Sequence, residues 1–258
     1  MKHISSRENP IWKSVVRLCH SGRERRKQGK CILEGTHTIR AYRERFGDPE
    51  WLIVDEEAAG DPDIRSLTAA VGASRIIVAD RRLFAELAQT AMPTGALAIV
   101  PTPRPSSTAP GPFSLVLEDI QDPGNVGTIL RVAAAAGASH VFLTQGCAFA
   151  WSPKAMRAAQ GAHFFVDIVE NADIAQLAYG FDGTIVAAQP RAPTIVFDAD
   201  LRGRLMLLVG NEGAGLSDAA LAAAMLQVAI PMPGGFESLN AAVAAAVCVF
   251  EKLRQDTR

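Results

Sequence analysis

LMLLVGNEGAGLS, Leu205 to Ser217, joins an apolar run to a loop with glycines at 210, 213 and 215. A strand that enters a glycine-rich turn lets backbone approach a ligand closely. Two phosphate-binding loops share this outline, and neither fits. A P-loop needs GxxxxGK[ST]. Gly210 and Gly215 keep its glycine spacing, but Leu216 stands where the lysine belongs. A dinucleotide fingerprint needs GxGxxG, and here the order is GxxGxG. Glu212 would also repel a phosphate. The loop suits a neutral or cationic ligand; a plain tight turn is the structural alternative.

Around this loop the second half of the chain alternates apolar runs with helical segments. SLVLEDI (Ser114–Ile120), HVFLT (His140–Thr144), FFVDIV (Phe164–Val169), TIVAAQ (Thr184–Gln189) and LMLLVG (Leu205–Gly210) read as strands. Continuously apolar strands predict a parallel sheet covered on both faces, with ligands beyond the carboxyl ends of the strands. Two further strand-end loops carry polar residues. EDIQDPGNVGTILR (Glu118–Arg131) holds Asn125 and Arg131. IPMPGGFESLNAAVAAAVCVFEKL (Ile230–Leu253) holds Ser238 and Asn240 before an alanine-rich helix whose apolar residues run almost all round, which predicts burial on several sides. With Glu212 these residues form a set fit to orient a polar substrate. Helix capping is the structural alternative for Asn125 and for Ser238. The five histidines are dispersed, and neither a Ser-His-Asp set nor a metal cluster is visible.

The segment PTPRPSSTAPGP (Pro101–Pro112) holds five prolines and reads as a semi-rigid linker. It divides the chain into residues 1–100, 101–112 and 113–258. In the first part EGTHTIRAYRER (Glu34–Arg45) and DRRLFAELAQT (Asp80–Thr90) read as helices. WLIVD (Trp51–Asp55), SRIIVA (Ser74–Ala79) and ALAIV (Ala96–Val100) read as strands, giving a small α/β module.

The net charge of −1 hides an asymmetry. Residues 1–45 carry 12 Lys/Arg against 4 Asp/Glu, and the remainder of the chain has a net charge of −9. The densest stretch, SGRERRKQGK (Ser21–Lys30), makes Arg25, Arg26 and Lys27 candidate nucleic-acid contacts. A solvated helix face is the alternative. Four scattered cysteines without a CxxC pair argue against a zinc site or a disulfide scaffold. No run of 18 apolar residues and no apolar N-terminal region is present, so neither a membrane span nor a secretory signal is expected, and the cytoplasm is the expected compartment.

The three loops, in this order and spacing, resemble the three signature motifs of the SpoU class of RNA 2′-O-ribose methyltransferases. DPGNVGTILR is similar to the first, LLVGNEGAGLS to the second and IPMPGGFESLNAAVA to the third. SPKAMRAAQGAHF (Ser152–Phe164) resembles a stretch between the first two. ISSRENPIWKSV and ILEGTHTIRAY resemble the substrate-binding domain that precedes the catalytic domain in many members. Phe236 departs from the family, where a small hydroxyl residue or Val often stands, and this leaves the shape of that loop open.

The resemblance implies an α/β catalytic domain with a parallel sheet and a C-terminal trefoil knot, preceded by a small α/β RNA-binding domain. It implies S-adenosylmethionine as cofactor, held by Gly210, Ile230 and Leu239 through backbone and covered by Met232, with the loop near Gln189 closing the pocket. The sulfonium is already electrophilic, so no metal is expected. Arg131 is implied at the reacting hydroxyl, either as a base or as an electrostatic stabiliser. Asn125, Glu212, Ser238 and Asn240 are implied to position it, the ribose or a phosphate. Ribosomal RNA is favoured over transfer RNA as substrate, and a homodimer formed by the catalytic domains is expected. A non-catalytic RNA-binding paralogue is the alternative.

Overall fold

Apolar runs of four to six residues form strands, and amphipathic or alanine-rich runs form the helices that cover them. The computed structural model describes residues 1–87 and 94–257. It contains two units, one comprising Met1–Pro103 with Trp151–Phe164, the other Arg104–Ala150 with Phe165–Arg258.

The first unit contains β1 (Lys2–Ile4), α1 (Pro10–His20), α2 (Gly22–Gln28), β2 (Lys30–Glu34), α3 (Thr36–Phe46), β3 (Trp51–Asp55), α4 (Pro62–Ala70), β4 (Ile76–Ala79), α5 (Arg81–Leu87) and β5 (Ala96–Pro101). Its sheet has the order β1-β4-β3-β5-β2, with β5 antiparallel to both neighbours. Trp12, Leu18, Ile53, Ile77 and Leu97 sit in its core. Asn9 accepts from the amides of Ile11 and Trp12 and starts α1 at Pro10, the combination that favours a helix N-terminus. The helix expected over Asp80–Thr90 begins as expected, with Asp80 accepting from Leu83 N; its residues 88–90 lie outside the described residues. Two strands went unread because β1 has three residues and β2 begins and ends on charged ones. The segment Trp151–Phe164 supplies α7 (Pro153–Ala159) to this unit, where Phe164 meets Tyr42 edge-on at 5.5 Å. The proline-rich segment is held at both ends and at its middle: Pro101 closes β5 and Thr102 N donates to Gly29 O, Ser106 N donates to Asp167, and Pro112 O accepts from Leu205 N.

The second unit contains β6 (Phe113–Leu117), α6 (Pro123–Ala135), β7 (His140–Leu143), β8 (Asp167–Glu170), α8 (Ile174–Ala178), β9 (Thr184–Ala188), β10 (Thr194–Ile195), β11 (Leu205–Val209), α9 (Asp218–Ala223), β12 (Leu226–Ala229) and α10 (Ala241–Asp256). All seven strands are parallel, in the order β10-β12-β9-β11-β6-β7-β8. The expected parallel sheet is therefore present, with β10 and β12 added. Both escaped notice because they are short and of mixed polarity. Strands β6 and β11 are buried at every position. From β6 the chain runs outward through β7 to β8, then returns to the other side of β11. The reversal lies between β6 and β11, where open α/β sheets bind ligands.

Burial of α10 is one-sided, against the expectation of cover on several faces. Ala241, Ala242, Ala245, Cys248 and Val249 are buried, whereas Val243 and Phe250 are 50% and 46% exposed. The helix packs against α6. Lys252, near its end, is buried and donates to the carbonyls of Leu201 and Gly203 at 3.2 and 2.8 Å, which ties the helix to the segment before β11.

Candidate active site

The loops leaving β6 and β11 are joined by three side-chain hydrogen-bond pairs at the switch point. Glu118 accepts from Ser217 Oγ at 2.6 Å and from Ser217 N at 2.8 Å. Asn211 Nδ2 donates to Asp119 O at 2.8 Å. Asn125 Nδ2 donates to Glu212 Oε1 at 2.5 Å. A fourth pair brings in the last helix: Asn240 Nδ2 donates to Asn125 Oδ1 at 3.0 Å. Three segments far apart in sequence thus converge on Asn125.

Local sequence explains why these side chains are available. Asp122 accepts from Gly124 N and caps α6, with Pro123 in the first turn. Asn125 is left free to reach across, so the capping alternative for it does not hold. Asn240, not Ser238, caps α10, accepting from the amides of Ala242 and Val243 through Oδ1. One amide side chain therefore starts the helix with its oxygen and holds Asn125 with its nitrogen. Asp119 adopts a left-handed conformation, φ 54°, uncommon for a residue other than glycine. Its N donates to Thr144 Oγ1 at 3.1 Å, and its carbonyl turns to Asn211.

The glycine loop is a small closed structure. Asn211 and Gly215 exchange both backbone hydrogen bonds at 3.0 Å, while Asn211 Oδ1 accepts from Gly213 N and Ala214 N. Gly215 has φ +72°. A Cβ on Gly210 would lie 2.4–2.5 Å from the backbone of Gly215 and Leu216. Glycine is thus required at 210 for loop closure, not to keep a side chain out of the ligand space.

Beside this loop lies a cavity of about 450 Å³, within the range of small-molecule sites. Val209, Val228, Ile230, Met232 and Leu239 give it an apolar lining. Gly210, Glu212 and Ser238 also border it, as does Gln189, whose backbone N bonds Val228 O. Apolar walls with exposed loop backbone fit the adenosine part of S-adenosylmethionine; a phosphate would find no cation on the glycine loop and Glu212 beside it. Every residue expected at the cofactor therefore borders one space. Phe236 is 79% exposed and outside the lining, so its departure from the family pattern does not reshape the cavity.

Arg131 stands apart. It is exposed on α6, outside the cavity lining, and its side chain makes no hydrogen bond or ion pair among the described residues. Of the basic trio, Arg26 and Lys27 are exposed, but Arg25 is buried. Its Nη1 donates to Leu18 O at 2.7 Å and Cys19 O at 2.9 Å. Arg25 therefore caps the end of α1, and burial pushes its guanidinium below its ordinary pKa. It is withdrawn as an RNA contact. Glu118, Asn211 and Ser217 were missed in the sequence; the available signal was the acid directly after β6 and the polar residues at either end of the glycine loop after β11. Among the described residues no group of His, Cys, Asp and Glu could hold a metal ion, and no helix is long and apolar enough to cross a membrane.

Known proteins resemble this chain in sequence and in fold. Residues 112–250 match the model of the SpoU rRNA Methylase family, and residues 1–98 match the MRM3-like substrate binding domain. The chain is 33% identical to an uncharacterized tRNA/rRNA methyltransferase of Synechocystis, covering 98% of this chain and 93% of the relative. It is 32% identical to the 23S rRNA (guanosine(2553)-2′-O)-methyltransferase RlmP of Bacillus subtilis, over 97% and 98%. Among solved structures it resembles an RNA 2′-O ribose methyltransferase, with a TM-score of 0.85, 30% identity and 98% of each chain covered. It also resembles the methyltransferase AviRb of Streptomyces viridochromogenes in complex with AdoMet, with a TM-score of 0.83, 27% identity and coverage of 96% and 98%.

Proposed function

The chain belongs to the SpoU rRNA methylase family, and we infer that it transfers a methyl group from S-adenosylmethionine to a ribose 2′-hydroxyl of ribosomal RNA. The observation that carries this reading is the Asn240–Asn125–Glu212 chain of hydrogen bonds beside the cavity at the switch point. It places an acid, two amides and the start of the last helix next to a space suited to the cofactor. When bound, S-adenosylmethionine supplies an activated methyl group; the protein has to align the hydroxyl with it and manage the proton and charge.

Gly210, Ile230 and Leu239 hold the cofactor through backbone groups, and Met232 covers the adenine. Asn125, fixed from both sides by Glu212 and Asn240, orients the ribose. Ser238 lies at the edge of the same cavity and offers its hydroxyl to the ribose or an adjoining phosphate. Arg131 acts as the electrostatic group. An exposed guanidinium stays charged and offers a planar fork of donors, which suits a phosphate and the forming alkoxide. Its lack of partners among the described residues supports this role over that of a base, which would call for burial or an adjacent cation. The presence of both Arg131 and Asn240 disfavours a non-catalytic paralogue.

The first domain, residues 1–100, binds the RNA. Arg26 and Lys27, exposed on α2, contribute phosphate contacts within the basic N-terminal segment. The knot implied by the family has α10 threaded through a preceding loop; its packing against α6 supports that close passage. Two copies pair through the catalytic domains, and the exposed Val243 and Phe250 on α10 support this surface. The cytoplasm is the compartment where such an enzyme meets ribosomal RNA.

Transfer of label from S-adenosylmethionine to ribosomal RNA of a strain lacking the gene tests the reading. One labelled nucleotide whose 3′ linkage resists alkali is expected. Label on a base would refute it.

A further inference from the structure

The cavity has a charged rim that the adenosine part of the cofactor leaves unused. Three ionisable side chains line it: Arg191, Glu212 and Glu237. Glu212 is engaged by Asn125. Arg191 is the one cation in the lining among the described residues, and it makes no hydrogen bond or ion pair with any of them. It follows β9 by three residues. Its loop is held by Gln189 N, which donates to Val228 O at 2.9 Å, and is stiffened by Pro190. Gln189 Oε1 lies 4.0 Å from where a Gly215 Cβ would stand, so this loop adjoins the glycine loop, and both line the cavity.

Ligand charge decides what Arg191 meets. Adenosine is neutral and suits the apolar walls. The amino-acid end carries an α-carboxylate and an α-ammonium, and burying either against Val209, Val228 or Ile230 unpaired would be costly. That end has to lie at the rim, and its carboxylate requires a donor of positive charge.

We propose that Arg191 binds the α-carboxylate of S-adenosylmethionine and so selects ligands with an intact amino-acid end. This rests on the cofactor reading above. Glu237, the remaining acid of the lining, suits the ammonium. A guanidinium paired with a carboxylate is a charge-assisted contact, and its planar fork can make two parallel bonds.

Calorimetry on the full-length protein tests it, with S-adenosylmethionine, S-adenosylhomocysteine and 5′-methylthioadenosine as probes. The last has the adenosine and thioether but no amino-acid end. Arg191→Ala is expected to weaken the first two by about tenfold or more, the scale of a hydrogen bond to a charged group. Binding of 5′-methylthioadenosine should stay within about twofold. Arg191→Lys should recover only part of the loss, because a point charge does not replace the fork. Added salt should weaken S-adenosylmethionine binding by the wild type more than by Arg191→Ala. Equal weakening of all three ligands would assign Arg191 to the shape of the cavity and overturn the proposal, as would unchanged affinities. Wild-type protein that bound none of the three would overturn the cofactor reading itself, and this proposal with it.

Discussion

Asn125 and Glu212, 87 residues apart in sequence, are joined by a 2.5 Å hydrogen bond from Nδ2 to Oε1, and Asn240 holds the other end of the same amide at 3.0 Å. The amide is thereby fixed in both rotation and orientation. Replacing Glu212 by Ala frees its donor end. Single-turnover methyl transfer should slow by about tenfold or more, since misplacement of reacting groups is costly. Glu212→Gln retains an acceptor oxygen and should lie between. Rates equal to wild type for both would remove this contact from the reaction.

Arg131 separates chemistry from binding. It is exposed and lies outside the cavity, and its side chain makes no hydrogen bond or ion pair among the described residues. Arg131→Ala should leave the melting temperature and cofactor affinity nearly unchanged. Turnover with RNA and cofactor saturating should fall by about 10²-fold or more, and Lys should rescue it poorly. A near-normal single-turnover rate would exclude it from the chemistry.

Gly210→Ala acts through the loop itself. The added methyl would press on the backbone of Gly215 and Leu216. A cost of about 1–3 kcal/mol is expected from overpacking, together with loss of cofactor binding as the loop opens. Thermal melts and calorimetry check both. Lost binding at unchanged stability would mean instead that the methyl enters the cavity.

The basic stretch in α2 should divide by burial. Removing Arg26 and Lys27 should reduce the slope of log affinity against log salt for RNA by about 0.7 for each phosphate no longer neutralised, without affecting the cofactor. Arg25→Ala should instead lower stability by about 1–3 kcal/mol, because the carbonyls of Leu18 and Cys19 lose their donor. An altered salt slope in a normally stable Arg25→Ala protein would restore it as an RNA contact.

Sedimentation at micromolar concentration should give a dimer of the 27.4 kDa chain. Phe250→Glu, at a position 46% exposed in the single chain, should shift it toward monomer without loss of secondary structure. A wild-type monomer at that concentration would count against the pairing.

The parallel sheet, the three polar strand-end loops and the ligand class were legible in the sequence. Each is a local matter: apolar runs of strand length, glycine spacing, and a loop that carries Glu212 and has Leu216 where a P-loop needs its lysine. Asn125, Glu212, Ser238 and Asn240 could be named for the same reason, and the family resemblance gave them roles. Which side chain caps a helix and which reaches across the site could not be read, because Asp122 and Asn125, or Ser238 and Asn240, are all favoured N-caps until backbone angles choose between them. Arg25, Arg26 and Lys27 are likewise consecutive charges in the sequence; only the turn of α2 and the packing of α1 bury the first and expose the others. Strand order was also beyond reach. It sets β11 beside β6, and it is this pairing that brings Glu118 to Ser217, Asp119 to Asn211 and Asn125 to Glu212. Local pattern fixes which residues stand at strand ends, but the non-local pairing of the strands decides which of those ends meet.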